Sequence, residues 1–170
     1  MVKILSLAFL ATYALGASAD ITASLSISDF KQINNLPSAS ASVKLGDRLL
    51  AVGDDSPSLY LLDREFQIIN SVDINNGKPN KQGRIPGKLK ADLEAADKIL
   101  IDEQEYVVML GSGTYTDTRE KALLYSINTS EIQWRNIKPF YRSLRGKANL
   151  SNKQFINIEG LASNDNQVFL

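Results

Sequence analysis

Two short acidic motifs, Glu94-Ala95 and Glu159-Gly160, each come before an apolar segment of the chain. The chain has no His and no Cys, which excludes a Ser-His-Asp triad, a Cys-His pair and an ordinary zinc site. Any metal must be held by oxygen ligands, which favours calcium or magnesium. If the protein binds such a metal, Glu94 and Glu159 are candidate ligands. Further oxygen donors for such an ion are Asp92, Asn157 and Asp54.

A second group of residues could hold a small polar or anionic ligand. Ser112 lies between two glycines, and such a segment can present backbone amides to an anion. Lys90 and Arg119 would supply positive charge, and residues 75–90 carry five basic side chains with no acidic one. The predicted ligand-binding residues are Lys90, Asp92, Ser112, Arg119 and Asn157.

Each of these features also has a structural interpretation. The Gly-Ser-Gly corner at 111–113 is typical of a tight turn. Glu94 and Glu159 could cap backbone amides or pair with Lys90 and Arg119, without binding any ligand. A run of basic residues is usually a solvated surface. The sequence leaves both interpretations open.

Short β-strands are the elements that would position these residues. Apolar runs separated by turn residues predict an antiparallel meander. Its strands are predicted at 38–43, 48–53, 58–62 and 66–69. The pattern restarts after the basic loop, with strands predicted at 93–101, 105–110, 121–128 and 131–137.

The segment Asp92–Leu100 has a competing interpretation as a helix. Its apolar residues fall at helical spacing, and Glu, Ala and Lys favour helices. We predict a strand, because the neighbouring copies of the pattern fit strands better. A short helix is predicted at Pro139–Arg145, since proline is favoured at the first helical position.

The strands group into units near residues 38–74, 91–137 and 155–170. Ser40-Ala41, Glu94-Ala95 and Glu159-Gly160 begin these units, with separations of 54 and 65 residues. A four-stranded propeller blade with long loops fits that period, since propeller repeats span about 40–50 residues. We predict an all-β fold of the β-propeller type, with four-stranded antiparallel blades, of which this chain holds about two and a half. The chain stops within a predicted strand, so we expect a truncated piece of a longer protein.

The first nineteen residues predict a signal peptide. Lys3 is followed by an uncharged apolar run at 4–15 and by Ala17-Ser18-Ala19, a typical cleavage site. The run is shorter than the roughly 20 residues of a spanning helix, so we predict an exported protein, periplasmic or extracellular, with no membrane span. The loss of Lys3 would leave 18 basic and 19 acidic side chains in the domain at 20–170. This balance argues against nucleic acid as a partner.

Three groups of residues resemble a bacterial family of exported proteins of unknown function. They are Lys90-x-Asp92-Leu93-Glu94-Ala95, Gly111-Ser112-Gly113 with Arg119, and Asn157-Ile158-Glu159-Gly160. The resemblance implies a propeller-like fold related to the esterase-like phytase propellers. In calcium-dependent propellers such as gluconolactonases, a Glu-Gly begins an inner strand and its carboxylate binds the metal in the central channel. The resemblance therefore implies calcium as the cofactor, with Glu94 and Glu159 as its ligands.

Two functions follow as hypotheses. The first is a binding or scaffold module whose channel face holds a small polar ligand or a cation. The second is a calcium-dependent, phytase-like hydrolase of phosphoesters or lactones, in which the metal would polarise a substrate oxygen and activate water. The sequence leaves open whether the protein is an enzyme and what its oligomeric state is.

Overall fold

The structure, a computed structural model, describes residues 31–75, 77–115, 117–151, 154–164 and 167–170. The predicted signal peptide at 1–19 lies outside these residues. The described chain is mostly β-strand, arranged in two four-stranded sheets and one two-stranded sheet, with one helix. All neighbouring strands are antiparallel. The predicted all-β fold of four-stranded antiparallel sheets is confirmed, and the sheets are consistent with blades of a propeller-like fold.

The first sheet is a simple meander in which strands pair in chain order. Its strands are β1 (Ala39–Leu45), β2 (Arg48–Gly53), β3 (Ser58–Leu62) and β4 (Ile68–Asp73). The turn between β1 and β2 has only two residues, because Leu45 pairs with Arg48. Gly46 takes a left-handed φ of 59° there, a conformation that glycine adopts without steric cost.

The second sheet repeats this meander. Its strands are β5 (Leu93–Ile101), β6 (Gln104–Gly111), β7 (Lys121–Ser126) and β8 (Ile132–Asn136). The strand prediction for 92–100 is confirmed, and the helical alternative is wrong. Asp102 and Glu103 both have positive φ, so they form the kind of two-residue turn that joins hairpin strands. β5 and β6, which this turn connects, pair along the whole length of β5. The hydrogen bonds between the two strands override the local helix propensity of β5.

The remaining elements are one helix and one hairpin. They are α1 (Lys138–Lys147), β9 (Ala162–Asn164) and β10 (Gln167–Phe169). The helix predicted at Pro139–Arg145 is therefore confirmed and extends slightly further at each end. Within the described part of the chain, no helix has the length and apolar character that crossing a bilayer requires.

Two strand predictions need correction. The fourth strand was predicted at 66–69 but begins at Ile68, because Phe66 takes a left-handed φ of 55° within a turn. Asp63 holds that turn, since its carboxylate accepts the amides of Glu65 and Gln67. The third unit was predicted at 155–170, and the resemblance implied that Glu159-Gly160 begins a strand, but residues 155–161 form no strand and the first strand starts at Ala162.

The main core lies between the two large sheets. Leu50, Leu59 and Ile74 of the first unit pack with Met109 and Leu123 of the second, and all five are at most 2% exposed. Burying each such side chain contributes about 1.5–3 kcal/mol. This packing fixes the second sheet against the first and determines which loops meet.

Two polar contacts tie the sheets together on either side of this core. The Ser40 hydroxyl of β1 donates to the Leu93 carbonyl of β5 at 2.6 Å. The Trp134 indole of β8 donates to the Ile74 carbonyl after β4 at 2.6 Å. The first strands of the two sheets therefore lie side by side.

The two large sheets begin with the same local geometry. Ser38 and Asp92 both have left-handed φ values, 45° and 56°, immediately before β1 and β5. Each strand then shifts register at a bulge, which spans Ser40 in β1 and Glu94 in β5. The backbone carbonyls of Ser38 and Asp92 accept the amides of Asp54 and Ser112, at 3.1 and 2.8 Å. Ser40 and Glu94 thus occupy equivalent positions.

A second, smaller core covers the other face of the second sheet. Tyr141 of α1 is fully buried there with Val108, Leu110 and Ile158. Its hydroxyl donates to the Gly111 carbonyl at 2.5 Å, and burial, followed by the charge of Glu120, raises the pKa of this phenol. Through this contact at Gly111, the helix packs against the corner between β6 and β7.

Candidate functional site

Asp92 is the centre of a charged cluster at the start of β5. It is 4% exposed, and its two carboxylate oxygens have separate partners. Oδ1 lies 2.6 Å from Lys90 Nζ, and Oδ2 lies 2.5 Å from Arg119 Nη1. Oδ2 also accepts a hydrogen bond from the Ser112 hydroxyl at 2.5 Å. Burial alone would raise the pKa of Asp92, but the hydrogen bonds from Lys90 and Ser112 and the nearby positive charges outweigh it and lower that pKa.

Lys90 links this cluster to the first sheet. Its ammonium group forms a short ion pair with Asp54, which follows β2, as well as the pair with Asp92. Burial would lower the pKa of Lys90, but the hydrogen bonds and charges of Asp54 and Asp92 outweigh burial and raise it. Lys90 therefore stays positively charged and bridges two carboxylates from different sheets.

The Gly-Ser-Gly corner supports Asp92 from the β6 side. Ser112 is fully buried, its amide donates to the Asp92 carbonyl, and its carbonyl accepts the Ile158 amide at 2.9 Å. The Gly113 amide donates to the Arg119 carbonyl at 3.1 Å. Because both amides bond within the protein, the geometry favours the tight-turn interpretation of this corner over an anion-binding nest.

Glu94 lies beside this cluster with fewer contacts. One carboxylate oxygen from each of Asp54, Asp92 and Glu94 lies within 4.8 Å of the others. Burial raises the pKa of Glu94 to about 7, with further contributions from the charges of Asp92, Asp54 and Glu159, while Lys90 lowers it. The Glu94 carboxylate forms neither a hydrogen bond nor an ion pair with the residues that the structure describes.

The third unit reaches the edge of the cluster. Glu159 is exposed and accepts a hydrogen bond from the Asn157 side-chain amide, while its charge acts on Glu94. The intervening Ile158 anchors this segment on Ser112. The structure thus brings together Lys90, Asp92, Glu94, Ser112 and Arg119, and it places Asn157 and Glu159 at the exposed edge.

Some polar contacts near the site were not foreseen from the sequence. Glu120 is 2% exposed and pairs with Arg145 of α1 at 2.5 Å. The two residues lie 25 positions apart, and no sequence pattern connects them. Arg119 also stacks on Tyr115, with its guanidinium carbon 4.6 Å from the ring centroid. An arginine four residues after an aromatic residue was the only signal for that contact.

The oxygen donors of the acidic cluster suit a hard cation in their chemistry. Asp54 Oδ1 is buried and accepts no hydrogen bond from the described residues. Together with the Glu94 carboxylate it offers negatively charged oxygens, the ligand type that calcium prefers. Lys90 neutralises part of this charge through its pairs with Asp54 Oδ2 and Asp92 Oδ1, which leaves Asp54 Oδ1 and the Glu94 carboxylate without a hydrogen-bonding partner among the described residues.

The raised pKa of Glu94 predicts a pH dependence of stability in the metal-free protein. Between about pH 4.5 and pH 7 the folded state keeps a proton that the unfolded state has released, so stability falls as pH rises through this window. We expect Glu94→Gln to remove this slope and to stabilise the protein near pH 8 by about 1 kcal/mol, since solvent screens a partly exposed charge. Urea unfolding at several pH values measures both effects.

The matched control for that experiment is Glu131→Gln. Glu131 is exposed in the turn between β7 and β8, at the opposite end of the sheet from the cluster. Replacing Glu131 should leave the dependence of the free energy of unfolding on pH unchanged. An identical slope in the wild-type and Glu94→Gln proteins would show that Glu94 titrates normally.

The sheets and the charged cluster define the class: an all-β protein of propeller-type antiparallel sheets with an acidic site where its first strands begin. A model of DUF6929, a family of unknown function, matches residues 35–170, and the chain belongs to that family. A comparison with curated proteins finds no match. The family agrees with the resemblance to proteins of unknown function, while the relationship to phytase propellers stays a prediction.

Proposed function

We propose that the protein is an exported binding module that takes a cation, with calcium as the first candidate, at Glu94 and Asp54. The observation that carries this proposal is the convergence of Asp54, Asp92 and Glu94, whose carboxylate oxygens lie within 4.8 Å of one another. Like charges at this distance repel unless a cation or a proton intervenes. Lys90 compensates Asp54 and Asp92, which leaves the Glu94 carboxylate for an external cation.

Glu159 and Asn157 would complete the site from its exposed edge. Calcium takes about 6–8 oxygen ligands in flexible geometry, and water can supply those that the protein does not. The side-chain oxygens of both residues lie on the solvent side of the cluster, and the charge of Glu159 reaches Glu94. A small polar ligand would contact the same edge.

Lys90, Arg119 and Ser112 have a supporting role in this proposal. All three direct their polar groups at Asp92, so they hold its carboxylate in place and keep it ionised. A buried carboxylate with such partners keeps its charge over a wide pH range. Its fixed charge strengthens the negative potential at Glu94.

Calcium is expected to raise the thermal stability of the full-length chain. A ligand present at 100 times its dissociation constant adds about 2.7 kcal/mol to the free energy of unfolding. Extracellular calcium sites have dissociation constants of about 0.1–1 mM, so the titration should extend well above that range. Melting curves with increasing calcium, compared with a chelator, measure the effect.

Two variants make this experiment specific. Glu94→Gln should abolish the calcium-dependent shift, whereas Glu131→Gln, in an exposed turn away from the cluster, should retain it. A shift of equal size in both variants would mean that calcium acts elsewhere. No shift in the wild-type protein would refute the cation site. The calcium-dependent hydrolase stays a prediction, since none of the contacts around Glu94 favours it over simple binding.

A further inference from the structure

A cavity lined in part by Arg119 lies close to the charged cluster, since Arg119 also pairs with Asp92. Its volume is about 670 Å³, within the range of about 300–1,000 Å³ that is usual for small-molecule sites. The basic loop before β5 forms one wall and the connection between β6 and β7 forms the other. The described residues that line it are Gly87, Lys88, Tyr115, Asp117, Thr118 and Arg119.

Positive charge predominates in the walls of this cavity. Arg119 uses Nη1 for Asp92 and Thr114, and its Nε is buried, but Nη2 donates only one hydrogen bond among the described residues, to the Gly87 carbonyl at 3.3 Å. Lys88 is exposed and forms no ion pair within the described chain. The acidic wall residue, Asp117, is paired with Lys138 at 3.0 Å.

The cavity also has a flat apolar surface. The Tyr115 ring is 61% exposed, although it packs against the Arg119 guanidinium at 4.6 Å. An exposed aromatic ring held by a cation–π contact offers a preformed surface for stacking. The Thr118 side chain adds a hydroxyl that can donate or accept a hydrogen bond.

We propose that this cavity binds a small organic anion, a phosphate or carboxylate attached to a planar ring. The anionic group contacts Lys88, Thr118 and the remaining N–H of Arg119 Nη2, and the ring packs on Tyr115. The site uses none of the oxygens of Asp54 or Glu94, so it does not depend on the proposed cation site. Either site can fail without the other.

Phenyl phosphate, benzoate and inorganic phosphate are suitable probes for the full-length chain. We expect phenyl phosphate or benzoate to shift the backbone amide resonances of Gly87 and Thr118 in NMR titrations. The better of the two should bind about fivefold more tightly than inorganic phosphate, because only an aromatic probe can stack. Inorganic phosphate binding as tightly as both aromatic probes would overturn the proposal, as would a complete lack of shifts at these amides.

Two lysine variants test the role of positive charge. Lys88→Gln should weaken binding of the aromatic anion about tenfold, as expected for the loss of one charged hydrogen bond. Lys81→Gln, in the same basic loop but outside the cavity wall, should change the affinity less than twofold. Melting curves of both variants should match the wild type, since both side chains are exposed. Equal weakening by the two substitutions would overturn the site in favour of non-specific attraction to the loop.

Discussion

Replacing Asp92 by asparagine is expected to lower the free energy of unfolding by about 3–5 kcal/mol, the cost of breaking a buried ion pair by removing one partner. Arg119 would lose the carboxylate with which it pairs, and Lys90 would keep only Asp54. Asparagine tolerates the left-handed φ of 56°, so the backbone is not the source of the effect. Urea unfolding at neutral pH measures the loss.

The control for this substitution is Asp47→Asn, which makes the same chemical change in an exposed pair. Asp47 contacts Arg64, and both side chains are about 70% exposed. Such a surface ion pair contributes about 0–1 kcal/mol. If the two substitutions cost the same, the cluster around Asp92 does not stabilise the fold.

A pH series adds a second check on Asp92. Because its folded pKa is lowered, its contribution is complete above the ordinary carboxyl pKa of about 4 and is lost as pH falls through the folded value. The difference in stability between wild type and Asp92→Asn should therefore shrink in acid. A difference that stays constant down to pH 2 would contradict the assignment, whereas a shrinking one identifies the carboxylate charge as its source.

Gly111→Ala should also be strongly destabilising, costing about 3 kcal/mol, the upper part of the usual range for overpacking. A Cβ at this position would lie inside contact distance of the carbonyl oxygens of Arg119 and Ala91, at 2.7 Å from the latter. Both obstacles are backbone atoms, so β6 would have to move away from the start of β5. The cluster around Asp92 would open as a result.

Gly160→Ala is the matched control, because a Cβ there meets no atom within 4 Å. It should change stability by less than about 1 kcal/mol, and a small gain is expected from the lower entropy of the unfolded chain. Thermal or urea unfolding of the two variants measures the contrast. A tolerated Gly111→Ala would mean that the sheets have more freedom at this corner than their packing indicates.

The sequence predicted the strands well where turn chemistry was unambiguous. Two-residue turns such as Gly46-Asp47 fix the register of the hairpins that they close, and apolar runs such as 106–110 become buried central strands. The same reasoning placed Glu94 at the start of a unit and chose a strand for Asp92–Leu100. These features depend on residues close together in the chain.

Long-range charge pairing could not be predicted in the same way. One interpretation of the sequence paired Glu94 and Glu159 with Lys90 and Arg119. In the structure Lys90 pairs with Asp54 and Asp92 instead, and Arg119 pairs with Asp92. The choice depends on how the two sheets pack, since Asp54 comes from the first sheet and Lys90 from the loop before the second. Local sequence patterns carry no information about which residues of different sheets come close together in the fold.

The equivalent bulges at Ser40 and Glu94 put one backbone geometry to two uses. The Ser40 hydroxyl bonds to the Leu93 carbonyl and so joins the two large sheets. The Glu94 carboxylate, at the same position of the second sheet, lies instead with the carboxylates of Asp54 and Asp92, and its pKa is raised to about 7. The same backbone corner therefore accommodates either a link between sheets or an ionisable group.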